Sequence, residues 1–172
     1  MANQTNLAFA TDTEGPELNT EYATGVGVIG AGYWGPKLAR DFNNRDNTRV
    51  VAVCDVNPDK MRPFRALDPK IGCYGDYRDL ISNPKVKAVA ISITDPARYD
   101  VANAALNNGI HVMVERCAAA TETQIEALQE NAEARGLKLS VVTFPNGGMV
   151  GGTLPEDVQT EMATFLTDIQ SE

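Results

Sequence analysis

Residues 24–35 read TGVGVIGAGYWG. A short apolar run of β type ends in Gly30-Ala31-Gly32-Tyr33-Trp34-Gly35, and a helix-like stretch over 36–43 follows. That order of strand, G-x-G-x-x-G and helix gives each glycine a physical task. The first permits a tight turn, the second lets backbone approach a pyrophosphate, and the third lets helix pack close on strand. A phosphate at the amino end of that helix meets unpaired N–H groups and the positive end of the helix dipole. Asp55 follows a second strand-like run, 49–54, and stands twenty residues beyond Gly35. A carboxylate there accepts hydrogen bonds from both ribose hydroxyls of an adenosine and repels a 2′-phosphate. No arginine directly follows it, so the expected dinucleotide is NAD and not NADP.

The rest of the composition narrows the field. With 172 residues the chain has room for one ordinary domain with a proper core. Its 43 % hydrophobic and 22 % charged residues are those of a soluble globular protein. No apolar run reaches the roughly 18 residues that a membrane span needs. The formal charge of −8 disfavours nucleic acid, whose phosphates need a basic face. Residues 1–36 hold no Lys or Arg, against a secretory or transit signal. Cys54, Cys73 and Cys117 are odd in number, widely spaced and form no C-x-x-C, so a reduced cytoplasm is expected. A single histidine with no Cys/His cluster argues against a metal site.

Along the chain, residues 1–23 are polar, acidic and aperiodic, and read as a flexible tail. From residue 24 strand and helix patterns alternate. Strands are expected over 26–29, 50–54, 71–74, 88–93, 111–114 and 137–143. Helical segments are expected over 36–43, 59–67, 77–82, 96–107 and 121–135. Such alternation implies a doubly wound, mostly parallel α/β sheet, Rossmann-like, with ligand at the carboxyl ends of its strands. The dinucleotide-binding domain is expected over 24–146, followed over 147–172 by a glycine-rich hinge and an amphipathic helix. Thr153-Leu154-Pro155-Glu156 matches a capping box. Leu154, Val158, Met162, Phe165 and Ile169 then form one apolar stripe. The stripe either folds back on the domain or meets a partner, including a second copy of the chain.

From about Gly25 to Phe144 the chain resembles the amino-terminal domain of the glucose–fructose oxidoreductase/inositol dehydrogenase (Gfo/Idh/MocA) family. The resemblance rests on GVIGAGYWGPKLARDF, VVAVCDVNPDK, YGDYRDLISNPKVKAVAIS and ANAALNNGIHVMVE, in that order. It implies a nicotinamide cofactor and hydride transfer to or from a hydroxyl or carbonyl, usually on a sugar, a cyclitol or a similar small molecule. Residue by residue, it implies that Ala31, Tyr33 and Trp34 lie against the pyrophosphate and that Asp55 holds the adenosine ribose. Thr94 would border the cofactor, Glu115 would face its nicotinamide end, and Gly30, Gly32 and Gly35 would complete the cradle.

The departures from the family pattern matter as much. The family's Glu-Lys-Pro reads here Glu115-Arg116-Cys117. Arg116 is therefore the candidate catalytic residue, able to polarise a substrate oxygen. With a pKa above about 12 it cannot relay a proton near neutrality. Cysteine in place of proline makes a cis bond there cost about 2.5–4 kcal/mol, so a trans bond is expected. Tyr99 stands where many members have histidine and is expected to pack. Family members continue into a second α/β domain that forms the substrate pocket, which is not recognisable here. Two readings follow. One is an NAD-binding oxidoreductase-type domain, active only if another chain completes it. The other is a non-catalytic NAD(H)-binding sensor or interaction module with a degenerate active site.

Overall fold

The β-branched runs pair side by side into one sheet whose strands all point the same way. This computed structural model describes residues 23–94, 96–116, 120–144 and 154–171. In chain order the elements are β1 (Thr24–Ile29), α1 (Gly35–Asn43), β2 (Thr48–Cys54), a 3-10 turn over Pro58–Met61, α2 (Arg62–Leu67) and β3 (Gly72–Tyr74). They continue with α3 (Tyr77–Ile81), β4 (Ala88–Ile91), α4 (Arg98–Asn107), β5 (His111–Glu115), α5 (Glu122–Ala134), β6 (Leu139–Val142) and α6 (Glu156–Gln170). The strands lie in the order β3-β2-β1-β4-β5-β6, every pair parallel. The crossovers run outward from β1 to β3, then return to β4 and run outward the other way. The reversal opens a crevice between the carboxyl ends of β1 and β4, where such sheets take ligand.

Burial explains the sequence pattern. The central strands β1 and β4 are buried at every position, so they carry no polar alternation. On one face Leu38, Phe42, Phe64 and Met61 pack against Val26, Val28 and Val50. On the other, Leu80, Leu106, Ile125 and Leu128 pack against Val51, Val89 and Val112. His111, at the start of β5, accepts the Lys138 N–H on Nδ1 at 3.0 Å and so ties β5 to the approach to β6. Thr121 and Gln124 form a reciprocal capping box at the start of α5, each side chain accepting from the other's N–H.

Helices α4 and α5 cover one face of β5 and β6, and α6 covers the opposite face. Leu154, Val158, Met162 and Phe165 are all buried there with Met113 and Val142, and Ile169 is partly so. The stripe lies against this chain's own sheet and is not a free docking face. Arg45 adds a bond from its guanidinium to the Gln159 carbonyl at 3.0 Å. Two expectations change. Strand β4 ends at Ile91, two residues early, which frees Ser92 and Ile93 for the crevice. The residue capping α6 is Pro155, with no side-chain cap. The hinge at 147–152, Thr153 and residues 1–22 of the tail expected over 1–23 lie outside the described residues.

Candidate functional site

At the turn after β1, Gly30 adopts φ of +100°, a left-handed conformation in which a side chain is strained. A Cβ there would also collide with the Ser92 carbonyl, and one on Gly35 would collide with the carbonyl of Gly30. These two contacts draw the start of α1 tightly over the ends of β1 and β4. Gly32 is different: a Cβ on it would meet nothing within 4 Å, so this stretch of backbone faces open space. No side chain caps the amino end of α1, and Pro36 occupies its first turn.

A cavity of about 640 Å³ opens on this turn. Its walls include Gly30, Gly32, Tyr33, Trp34, Asp55, Thr94 and Glu115. The structure thus brings these residues from the carboxyl ends of four strands, β1, β2, β4 and β5, around one hollow. Of the remaining candidates, Ala31 is buried and contributes its N–H to Asp55, and Gly35 is the first residue of α1. Arg116 is not among the lining residues. Its side chain is half-exposed, with Nη2 at 3.2 Å from Glu122 Oε2 at the start of α5. Cys117, with the backbone following Arg116, lies outside the described residues.

Asp55 sits just past the end of β2, its N–H bound to the Tyr74 carbonyl at 3.1 Å. Its Oδ2 accepts the Ala31 N–H at 2.9 Å, and its Oδ1 accepts the Asn57 N–H at 2.8 Å. The carboxylate is therefore clamped to the glycine turn. Each oxygen keeps a second acceptor position for an outside donor. Tyr33 projects its ring into solvent at 54 % exposure, with Lys37 Nζ 3.5 Å from the ring centroid. The Trp34 ring turns inward and stacks on Phe144 at 4.5 Å, which assigns it to packing between the turn and the end of β6. Lys60, Tyr77 and Arg78 line the same cavity beyond Asp55.

At the opposite end, Glu115 closes β5. Partial burial raises its carboxyl pKa, and the facing Arg98 guanidinium opposes that shift. Arg98 is itself buried, with Nη1 3.3 Å from Glu115 Oε2 and donating to the Glu115 carbonyl at 3.2 Å. Sequence reasoning missed this arginine. The usable signal was a cation between the apolar β4 and an apolar helix face. Tyr99 is buried in the core beside it.

The profile of an oxidoreductase family with an NAD-binding Rossmann fold matches residues 24–143. The chain belongs to the Gfo/Idh/MocA oxidoreductase family. A Lactiplantibacillus plantarum inositol 2-dehydrogenase/D-chiro-inositol 3-dehydrogenase is 31 % identical over 127 residues, 72 % of this chain and 36 % of that protein. The Salmonella typhimurium inositol 2-dehydrogenase is 32 % identical over 123 residues, 70 % of this chain and 35 % of that one. Among solved structures, an NAD-binding oxidoreductase from Klebsiella pneumoniae aligns with a TM-score of 0.60 at 27 % identity, covering 70 % of this chain and 34 % of that chain. An apo scyllo-inositol dehydrogenase from Lactobacillus casei, at 21 % identity and TM-score 0.63, covers 71 % and 37 % and shares the fold. This Gfo/Idh/MocA chain thus spans about a third of the length of these relatives and matches their NAD-binding Rossmann domain.

Proposed function

We propose that this chain holds NAD(H) as the cofactor half of a sugar- or polyol-type oxidoreductase, with the substrate surface supplied by another chain. The observation that carries the reading is the open backbone at Gly32 beside the clamped carboxylate of Asp55, in one cavity at the sheet's reversal point. In this reading the N–H groups of the Gly30–Gly35 turn and the uncapped end of α1 hold the diphosphate. Asp55 accepts from the adenosine ribose hydroxyls and disfavours a 2′-phosphate by charge. Tyr33 and Trp34 keep the turn in shape from either side. Thr94 borders the far half of the cavity, and Glu115, held by Arg98, closes it. When bound, the nicotinamide supplies the hydride donor or acceptor. Arg116 would polarise a substrate oxygen after leaving Glu122, and an exposed pair of this kind holds it by only about 0–1 kcal/mol.

Binding without turnover is the second reading. It is favoured by Arg116, whose guanidinium lies on Glu122 and off the cavity wall, and by the burial of Tyr99. Both readings take the protein as cytoplasmic, with the Cys54 and Cys73 thiols buried and unpaired on opposite faces of the sheet in support. Calorimetric titration with NADH and NADPH tests the shared part. NADH should bind at least ten-fold more tightly than NADPH, and Asp55→Ala should erase most of that preference. No heat with either dinucleotide removes both readings. A screen of inositols and sugars at the NADH absorbance band, with and without candidate partner chains, then separates an enzyme from a binding module.

A further inference from the structure

The two edges of the sheet are unlike. At one end β3 is only three residues long. At the other, β6 reads Leu139-Ser140-Val141-Val142, without a charge or a proline. Natural edge strands are usually blunted by charge, proline, a bulge or a cover, because their unpaired N–H and C=O groups template a further strand. Here a groove of about 660 Å³ runs along β6, walled by the end of α5 on one side and by α6 on the other.

Register decides which groups face it. Val112 donates to the Lys138 carbonyl and Arg116 to the Val142 carbonyl, so Lys138, Ser140 and Val142 turn their backbone groups to β5. Alternation turns the N–H and C=O of Leu139 and Val141 to the open side, where no described residue pairs with them. The Ser140 hydroxyl oxygen, on the same groove, is buried without a hydrogen-bond partner. Two carboxylates on α6, Glu161 and Asp168, and one on α5, Glu133, rim the groove, with Lys138 as the only cation among its described lining residues. Phe165 contributes to its apolar floor.

We infer that this edge takes up an extended, basic peptide segment of a partner protein, added to the sheet as a seventh strand. The backbone ladder selects an extended chain, and the rim selects lysine or arginine side chains. A second copy is disfavoured, since its own edge would set the same carboxylates against these. The proposal does not depend on the cofactor reading.

The test uses the full chain, isotope-labelled for amide NMR, and an octapeptide of alternating valine and lysine as probe. Addition of the probe should slow exchange of the Leu139 and Val141 amides at least ten-fold and saturate. An octapeptide of alternating valine and glutamate should bind at least ten-fold more weakly, and backbone N-methylation of the lysine peptide should abolish binding. Combined Glu133→Lys, Glu161→Lys and Asp168→Lys changes all fall on exposed side chains, and the variant's own spectrum reports that it folds. They should weaken the lysine peptide at least ten-fold. Equal binding of the N-methylated or glutamate peptide overturns the proposal, as does unchanged exchange at Leu139 and Val141. Protection of those amides that grows with protein concentration alone assigns the edge to a second copy and overturns it too.

Discussion

Single residues fix the cavity by steric and electrostatic means that can be separated. Gly30→Ala adds a Cβ at φ +100° against the Ser92 carbonyl, so strain and collision act together. The variant should lose at least about 1–3 kcal/mol of unfolding free energy and most NADH affinity, measured by urea titration and calorimetry. Cys54 offers a chemical test of the same region. Burial, with Asp55 nearby, pushes its thiol up to about 12. At pH 8 only about one part in ten thousand is thiolate, so alkylation of the Cys54 peptide should be slow until the protein unfolds. Rapid native-state labelling at Cys54, followed by mass spectrometry, would place that thiol in a far wetter setting. At the other end, Glu115 titrates above its usual value of 4.5. A raised native pKa means the folded chain holds the extra proton in the window just above 4.5. The contribution is then full below 4.5 and is lost as pH rises through that window. Arg98 opposes the shift, so Arg98→Met should extend the window upward. The stability deficit of the variant should grow as pH rises above the usual carboxylate range and then level off once Glu115 is ionised in both proteins. A deficit that is flat with pH would mean that Arg98 acts through packing alone. Glu115 was legible through the family resemblance, whereas Arg98 had only its place between the apolar β4 and an apolar helix face to mark it. A lone arginine in a helix's first turn ordinarily reads as solvated, and its partner stands seventeen positions away.

Among the elements, periodicity made most of the architecture legible. Strand β4 is an unbroken apolar run and the other strands are mainly apolar, while the longer helices bury apolar residues on one face. Strand ends were less legible, because Ile93 continues the β4 pattern although the last bond to β1 is that of the Ser92 N–H to the Ile29 carbonyl. The stripe on α6 showed that one face must be buried, yet nothing local could say against what. Topology supplies the answer: both crossovers beyond β4 lie on one face, which leaves β5 and β6 bare on the other. Met162 is fully buried there, so Met162→Ala should cost about 2–5 kcal/mol by thermal or urea unfolding. A loss below about 1 kcal/mol, with no change elsewhere, would mean that α6 rests loosely on the sheet. The capping box of α5 is smaller in scale. Thr121→Ala should cost about 1 kcal/mol, since it releases an N–H that the helix cannot otherwise satisfy.

For the whole molecule, the relation to its relatives sets what a cofactor can do to stability. The chain matches about a third of each inositol dehydrogenase, and that third is the NAD-binding Rossmann domain. A ligand that binds only the folded state stabilises it by mass action, about 2.7 kcal/mol at a hundred times its dissociation constant. In a domain of this size each kcal/mol moves the midpoint by roughly 2–4 °C. Saturating NADH should therefore raise Tm by roughly 5–10 °C, and NADPH by clearly less. Asp55→Ala should remove most of the rise and should also lower the Tm of the free protein, because it takes the acceptor from the N–H of buried Ala31. The free-protein comparison matters. A fall in the free-protein Tm with the NADH-induced rise left intact would mean that the carboxylate serves the turn and not the nucleotide. Net charge adds a second handle. The chain carries −8 and the dinucleotide is an anion, so long-range repulsion should weaken binding at low ionic strength. NADH affinity measured from about 10 to 200 mM salt should stay level or rise. A steep fall would show that attraction to Lys37, Lys60 or Arg78 outweighs the field of the whole molecule.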